Sequence, residues 1–287
     1  MNKLELVNIS DYFYPFFQEE RDNFYFIIPN NIYKDELDNL KNFDFRKIFE
    51  DFNMETQEIS PILIHVGDFE GFLMVYNLLI KKNCLNLIQS DYDFDVVFDE
   101  IKNKLDLKIT GLGNYLFRFY DNYIFDFTNL VIDEKRQFNL LGRYIKSWYW
   151  NDLNTNVKYI EKKEIVYMDL EKFKLNEIEF NKINELIYPF SLKLKFEEYK
   201  EFGNLQVNLK TDKDWYEEIV HRLEKARIRG LSRQDDVKLY ALLSFGLGDE
   251  IFDGNPFNKA LEKVLVNNRT LENALNEINL NELREEI

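Results

Sequence analysis

Apolar positions along the chain follow two rhythms. Up to Trp150, short continuous apolar runs are separated by longer segments in which apolar residues recur every three or four positions. "NFYFIIP" (Asn23 to Pro29) is aromatic and β-branched and ends at a proline followed by two asparagines, so it predicts a strand. A helix is expected across Glu36 to Phe43. "SPILIHV" (Ser60 to Val66) suits a strand buried on both faces, and "CLNLIQS" (Cys84 to Ser90) predicts another. Between them, "DFEGFLMVYNLLIKKN" is apolar almost all round and closes on lysines and Asn83, which favours a well-buried helix. Ser90, Asp91 and Asp93 carry the signs of a helix start, with the helix continuing to about Leu107. Strand and helix in this order predict an α/β lobe, a mixed and mostly crossover-connected sheet flanked by helices.

Beyond Trp150 the rhythm changes. "NDLNTNVKYIEKKEIVYMDLEKFKLNE" is polar and irregular, and the lobe boundary is expected there, giving residues 1–155 and 156–287. "LNEIEFNKINELIY" predicts a helix that Pro189 stops. Trp215, Ile219, Leu223 and Ala226 form one helical stripe with Gly230 as its C-terminal stop. Ser232 and Asp235 have capping-box spacing ahead of a helix whose buried face would carry Val237, Tyr240, Ala241 and Ser244, ending at Gly246 or Gly248. One or two short helices follow. The second lobe is expected to be predominantly α-helical.

Composition narrows the function classes. The 287 residues carry a formal net charge of −15, which repels nucleic acid and anionic membranes, and no Lys/Arg run reads as long enough to reverse that locally. No apolar stretch is long enough for a membrane helix, and the start lacks the pattern of a cleaved signal. One cysteine, Cys84, forms no internal disulfide, which fits a cytoplasmic protein.

Candidate chemistry is sparse. Two histidines, His65 and His221, leave few ways to build a metal site or a nucleophile–base pair. A Cys84/His65 dyad requires their strands to be neighbours, and His221 reads as a surface or edge residue. "DYDFDVVFDE" (Asp91 to Glu100) fails as a calcium loop because its sixth position is Val96 and its twelfth Lys102; an acidic first helical turn accounts for it. "GLG" (Gly111 to Gly113) precedes a strand, so it reads as a turn and not as a dinucleotide fingerprint. With 52 acidic residues, clustered carboxylates arise by chance and point to no nuclease.

"NYLFRFYD" (Asn114 to Asp121) places an arginine among aromatics. On a strand from Asn114 to Tyr120, Phe117 and Phe119 share a face with Tyr115, and Arg118 shares the other with Leu116 and Tyr120. Arg118 is then expected to be at least partly enclosed and paired. Asp121 is placed to cap the next helix.

The order of "SPILIHV", an apolar helix, "LNLIQS", an acidic helix, "LFRFYD" and "LLGRYIKSWYW" resembles the effector-adaptor (Tap/TEC chaperone) family of bacterial type VI secretion systems. Phe117, Arg118, Phe119, Tyr120 and Asp121 carry the likeness. Ser60–Pro61, Ser90, Leu141–Gly142, Trp148 and Trp150 support it, over roughly the first half of the chain. "GLSRQDDVKLYALLSFGLGDEIFD" extends it more loosely. The family often has proline after the aspartate, where this chain has Asn122. The resemblance implies a non-enzymatic chaperone without cofactor. Such a protein binds a toxic effector near its N-terminal region in the donor cytoplasm and loads it onto the VgrG or PAAR spike. Trp148, Tyr149 and Trp150 are candidates for packing between the lobes or for partner contact, with closing the core of the first lobe as the alternative. Two other classes stay open: an intracellular interaction module unrelated to secretion, and a hydrolase using Cys84 or a carboxylate pair.

Overall fold

The computed structural model describes residues 2–3, 9–19, 22–162, 173–202 and 209–277. The chain divides into two compact units, Met1–Ile187 and Tyr188–Ile287. The first is an α/β unit and the second is helical.

The first unit begins with β1 (Asn2–Lys3), α1 (Ile9–Gln18), β2 (Asn23–Ile28), α2 (Asn30–Asp35), α3 (Leu37–Leu40), β3 (Phe45–Lys47) and α4 (Met54–Glu58). It continues through β4 (Ile62–Val66), α5 (Phe69–Lys81), β5 (Asn86–Ser90), α6 (Phe94–Lys104), β6 (Asp106–Thr110) and β7 (Gly113–Leu116). Then come α7 (Asn122–Val131), α8 (Glu134–Leu141), β8 (Ser147–Asn151), β9 (Val157–Glu161) and β10 (Lys174–Asn176). Helix α9 (Glu177–Phe202) contains the division between units. The second unit holds α10 (Asp212–Ile228), α11 (Gln234–Leu247), a 3-10 turn (Asp249–Phe252), α12 (Asn255–Asn267) and α13 (Leu271–Asn276).

Seven strands form one sheet in the order β1-β9-β8-β5-β2-β4-β3, and each neighbouring pair is antiparallel. The expected α/β lobe is present, and three of the six connections between successive strands of this sheet cross over other strands. The connection from β1 to β2 passes three strands and those from β2 to β3 and from β4 to β5 pass one each, while β3–β4, β5–β8 and β8–β9 are neighbours. β4–α5–β5 straddles β2. The uninterrupted apolar runs arise because both faces are covered. Phe24, Phe26 and Ile28 of β2 pack with Phe13 of α1 and Phe72, Val75 and Leu79 of α5. Tyr25 and Ile27 face Val97, Phe98 and Ile101 of α6 and Phe125 of α7. A smaller sheet, β10-β6-β7, pairs β10 with β6 in parallel and β6 with β7 antiparallel. The "GLG" segment is the turn of that hairpin, with Gly111 and Gly113 at φ of +89° and +108°.

Several boundaries move. The division expected at 155/156 falls inside the first unit, because Val157–Glu161 is a strand paired along its length with β8. Residues 163–172 of the stretch read as polar and irregular lie outside the described residues. Pro189 does not end its helix; α9 runs through it. Ile183 and Ile187 pack in the first core, and Tyr188, Leu192 and Phe196 in the second. That burial on either side of the proline offsets the roughly 3 kcal/mol it costs in a helix interior. Ser232 does not cap α11, whose N-cap is Arg233 without a side-chain bond. The expected stripes hold: Trp215, Ile219, Leu223 and Ala226 of α10 and Val237, Tyr240, Ala241 and Ser244 of α11 are buried.

Candidate functional site

The predicted motif straddles the end of the small sheet. β7 stops at Leu116, and the Phe117 N–H donates to the Leu105 carbonyl at 2.8 Å. Phe117 and Phe119 turn into the core. Arg118 does not: its side chain is 57% exposed and reaches Asp121 at 3.4 Å. The expected enclosure is therefore corrected. The strand expected to reach Tyr120 ends at Leu116, so Arg118 lies beyond it, in the segment that leads into α7, with its side chain toward water. Asp121 caps α7 as expected, accepting from the N–H groups of Tyr123 and Ile124 at 3.1 and 3.5 Å. The Tyr120 carbonyl accepts from Asn86 Nδ2 at 2.9 Å.

Trp148, Tyr149 and Trp150 have no exposed surface. They lie on β8 between β5 and β9, so the expectation that they touch a partner is corrected; they close the core. Phe119 meets Trp148 edge-on at 5.6 Å, and Phe125 stacks on Trp148 at 4.6 Å and meets Trp150 at 4.9 Å. Both indoles find acceptors, Trp148 at Asn86 Oδ1 (3.0 Å) and Trp150 at Asp126 Oδ1 (2.9 Å). Lys158 Nζ donates to both Asp126 oxygens, at 2.8 and 3.0 Å. The structure thus joins the motif and the tryptophan row into one buried frame.

Asn122, where the resembled family often has proline, is buried in that frame. Its Nδ2 donates to Asn151 Oδ1 (3.0 Å) and the Asn83 carbonyl (3.3 Å), while Asn86 Nδ2 donates to its Oδ1 (2.5 Å). Turned over, the same amide meets the N–H and carbonyl of Leu85. Asn122→Pro is compatible with the first helical position but removes this amide. It is expected to destabilise the fold by about 1–3 kcal/mol, read as a lower urea midpoint, because buried partners lose a bond. An unchanged midpoint would show the amide to be dispensable.

On the opposite face of β8 lies a polar chain that the sequence reading missed. The Tyr12 and Tyr149 hydroxyls are 3.4 Å apart, and Tyr149 donates to Gln89 Oε1 at 3.2 Å. Gln89 Nε2 and Lys146 Nζ donate to the two oxygens of Asp22 at 2.8 and 2.9 Å. Burial works to raise the Asp22 carboxyl, but hydrogen bonds from Asp91, Lys146 and Gln89 outweigh it and hold it below its ordinary value. The bond to Asp22, and then burial, raise the Asp91 carboxyl above its ordinary value. The pair is one end of a polar chain that runs through Gln89 and Tyr149 to Tyr12. Its signal in the sequence is a polar Gln89-Ser90 end on an apolar strand, facing an aspartate 67 residues away.

The Cys84/His65 pair is not brought together. β2 lies between β4 and β5, which sets the two strands roughly 10 Å apart. Burial pushes the Cys84 thiol up to about 12, the opposite of an activated nucleophile. Burial lowers His65, which lies 5.2 Å from the Tyr25 ring. His221 is exposed, as expected. Among the described residues, no three His, Cys, Asp or Glu side chains could hold a metal ion, and no helix is long and apolar enough to cross a membrane.

Leu141–Gly142, part of the same resemblance, closes over a buried ion pair. Lys104 Nζ reaches Glu100 at 2.7 Å beside Gly142, and Lys162 donates to the Gly142 carbonyl. Burial lowers Lys104, against the pull of Glu100. Burial, helped by the Lys104 charge, brings Lys162 down to about 8. Between there and the ordinary 10.5, the unfolded chain holds a proton that the folded one has released, so stability rises with pH across that window. Tyr25, Tyr76 and Tyr149 are raised by burial, which reverses the slope above about 10. Urea midpoints are expected to climb from pH 8, with Lys162 and Lys104 supplying the rise, to be opposed by Cys84 above about 9 and to fall above about 10; Lys162→Met should reduce the climb.

The most exposed apolar feature beside the motif is β7. All four of its residues are exposed, and it pairs only with β6 among the described residues. Leu112 and Leu116 project from its two ends, and Tyr115 stands 5.0 Å from Phe180 of α9. Comparison with known proteins finds no matching family model, no matching curated protein and no matching solved structure.

Proposed function

We propose that the protein is a non-enzymatic adaptor that binds a type VI secretion effector near its N-terminal region, in the cytoplasm of the donor bacterium. It passes that client to a VgrG or PAAR spike protein. The reading starts from the ordered likeness centred on Phe117 to Asp121. The observation that carries it further is the position of β7, an exposed edge strand that leads directly into those residues. Its sequence, Gly-Asn-Tyr-Leu, holds neither charge nor proline, the usual protections of a free edge. An extended client segment adding to that edge would gain main-chain hydrogen bonds and apolar contacts with Leu112 and Leu116. The buried frame behind it would hold the edge in place.

The test is affinity purification of the tagged protein from its native bacterium, with mass spectrometry of what co-elutes. A single toxin with a spike protein is the expected recovery. Leu112→Arg/Leu116→Arg should lose the client while keeping the wild-type urea midpoint, since both side chains are exposed. Recovery of the protein alone, from cells expressing a type VI system, would reject the adaptor reading.

A further inference from the structure

The two halves of α9 belong to different compact units, which divide between Ile187 and Tyr188, and each half has anchors of its own. In the first half, Ile183 and Ile187 pack in the core of the α/β unit, Phe180 meets Tyr115 of β7 at 5.0 Å, and Glu179 pairs with Arg136 of α8. In the second, Leu192 and Phe196 are buried in the helical unit, Phe190 meets Tyr216 at 5.0 Å, and Lys193 pairs with Asp212 of α10 at 2.8 Å.

Three features weaken the helix where the anchors change over. Pro189 has no N–H, so the Glu185 carbonyl receives no helical bond, and the proline ring crowds that same carbonyl. Ser191 Oγ donates to the Tyr188 carbonyl at 2.7 Å, in competition with the main-chain N–H of Leu192. The buried face also turns. Continued in phase, the stripe of Ile183 and Ile187 would arrive at Ser191 and Leu194, but Ser191 is exposed and Leu194 is 73% exposed. Burial passes instead to Tyr188, Leu192 and Phe196, about 100° further round the helix. No single apolar ridge therefore runs past the proline to keep its turns closed.

We infer that α9 is a hinge: between Glu185 and Leu192 its turns open and close, while Ile183 and Phe196 stay packed in their own units. Local opening falls where main-chain bonds are few and no continuous packed face supports them, and helices give way at proline for the same reason. Hinges of this kind absorb a change in one part of a chain within a few element residues. A partner bound to either unit would then not force the other to follow. The inference rests on α9 alone and not on the secretion reading.

The experiment is amide hydrogen exchange of the full chain, resolved residue by residue. The amides of Phe190, Ser191 and Leu192 bond across the joint, to the carbonyls of Leu186, Ile187 and Tyr188, whereas those of Ile183 and Phe196 bond within one half. The three joint amides are expected to be protected at least about a hundredfold less than the other two. Pro189→Ala supplies the missing N–H and removes the ring, so it should slow the joint amides at least about tenfold and leave Ile183 and Phe196 as they are. Ser191→Ala, at an exposed position, frees the Tyr188 carbonyl and should slow Leu192. Equal protection of the joint and its flanks in the wild-type chain overturns the hinge. So does joint exchange that neither variant slows, or slowing that Ile183 and Phe196 share to the same degree, which would mean that the whole helix opens as one.

Discussion

Asp126→Ala is expected to lower the stability of the first unit by about 3–5 kcal/mol, the cost of taking one partner from a buried ion pair. Asp126 and Lys158 have side chains only 6% and 17% exposed. Without the carboxylate, Lys158 keeps only Asp152 at 3.3 Å, and the Trp150 indole loses its acceptor. Arg118→Ala, at the centre of the Phe117–Asp121 stretch, is expected to cost under about 1 kcal/mol, because its ion pair is long and lies in water. Urea unfolding followed by tryptophan fluorescence separates the two, since Trp148 and Trp150 report on this unit. Equal losses from both variants would mean that Arg118 has an interior role the structure does not give it.

The second large effect belongs to Gly142. Its backbone sits at φ +75° and ψ −164°, a region essentially closed to side-chain-bearing residues. A Cβ there would stand 1.7 Å from Glu100 Oε1 and 2.3 Å from Lys104 Nζ, two atoms of a buried pair with little space to retreat. Gly142→Ala should cost about 1–3 kcal/mol through the backbone alone, and more because the pair must move. Gly67→Ala is the control: nothing lies within 4 Å of its added Cβ, so about half a kcal/mol is its expected limit. A Gly142→Ala protein as stable as Gly67→Ala would refute the cradle.

β2, β4, α5, β5 and α6 were legible because apolar continuity and a 3.6-residue period are local signals, whereas α1, β3 and α4 were not read. How the strands pair was not. A strand covered on both faces has the same apolar run whether its neighbours are parallel or antiparallel, so β2, β4 and β5 were found but their alternation was not. Val157–Glu161 was hidden in a polar stretch, with Val157 and Ile160 as its buried members. The motif shows the limit at a single residue. Period two placed Arg118 on a partly enclosed strand face, but the strand ends at Leu116 and Arg118 stands exposed beyond it. For Trp148 to Trp150 the same ignorance ran the other way, because the helices that cover them are distant in sequence. Asp22 and Gln89 could not be paired from local pattern at all.

The antiparallel order also dictates how the sheet can be made as the chain is synthesised. β5, β2 and β4, at its middle, all come from residues 23–90 and can pair early. β8 and β9 arrive much later, and Asn2 and Lys3 pair with Tyr159 and Lys158, more than a hundred and fifty residues downstream. Pairings so distant in sequence make folding slow. Until β8 docks, one edge of β5 stays open and the apolar surface destined for two tryptophans remains wet. A nascent chain halted before Trp148 is thus the form most exposed to aggregation.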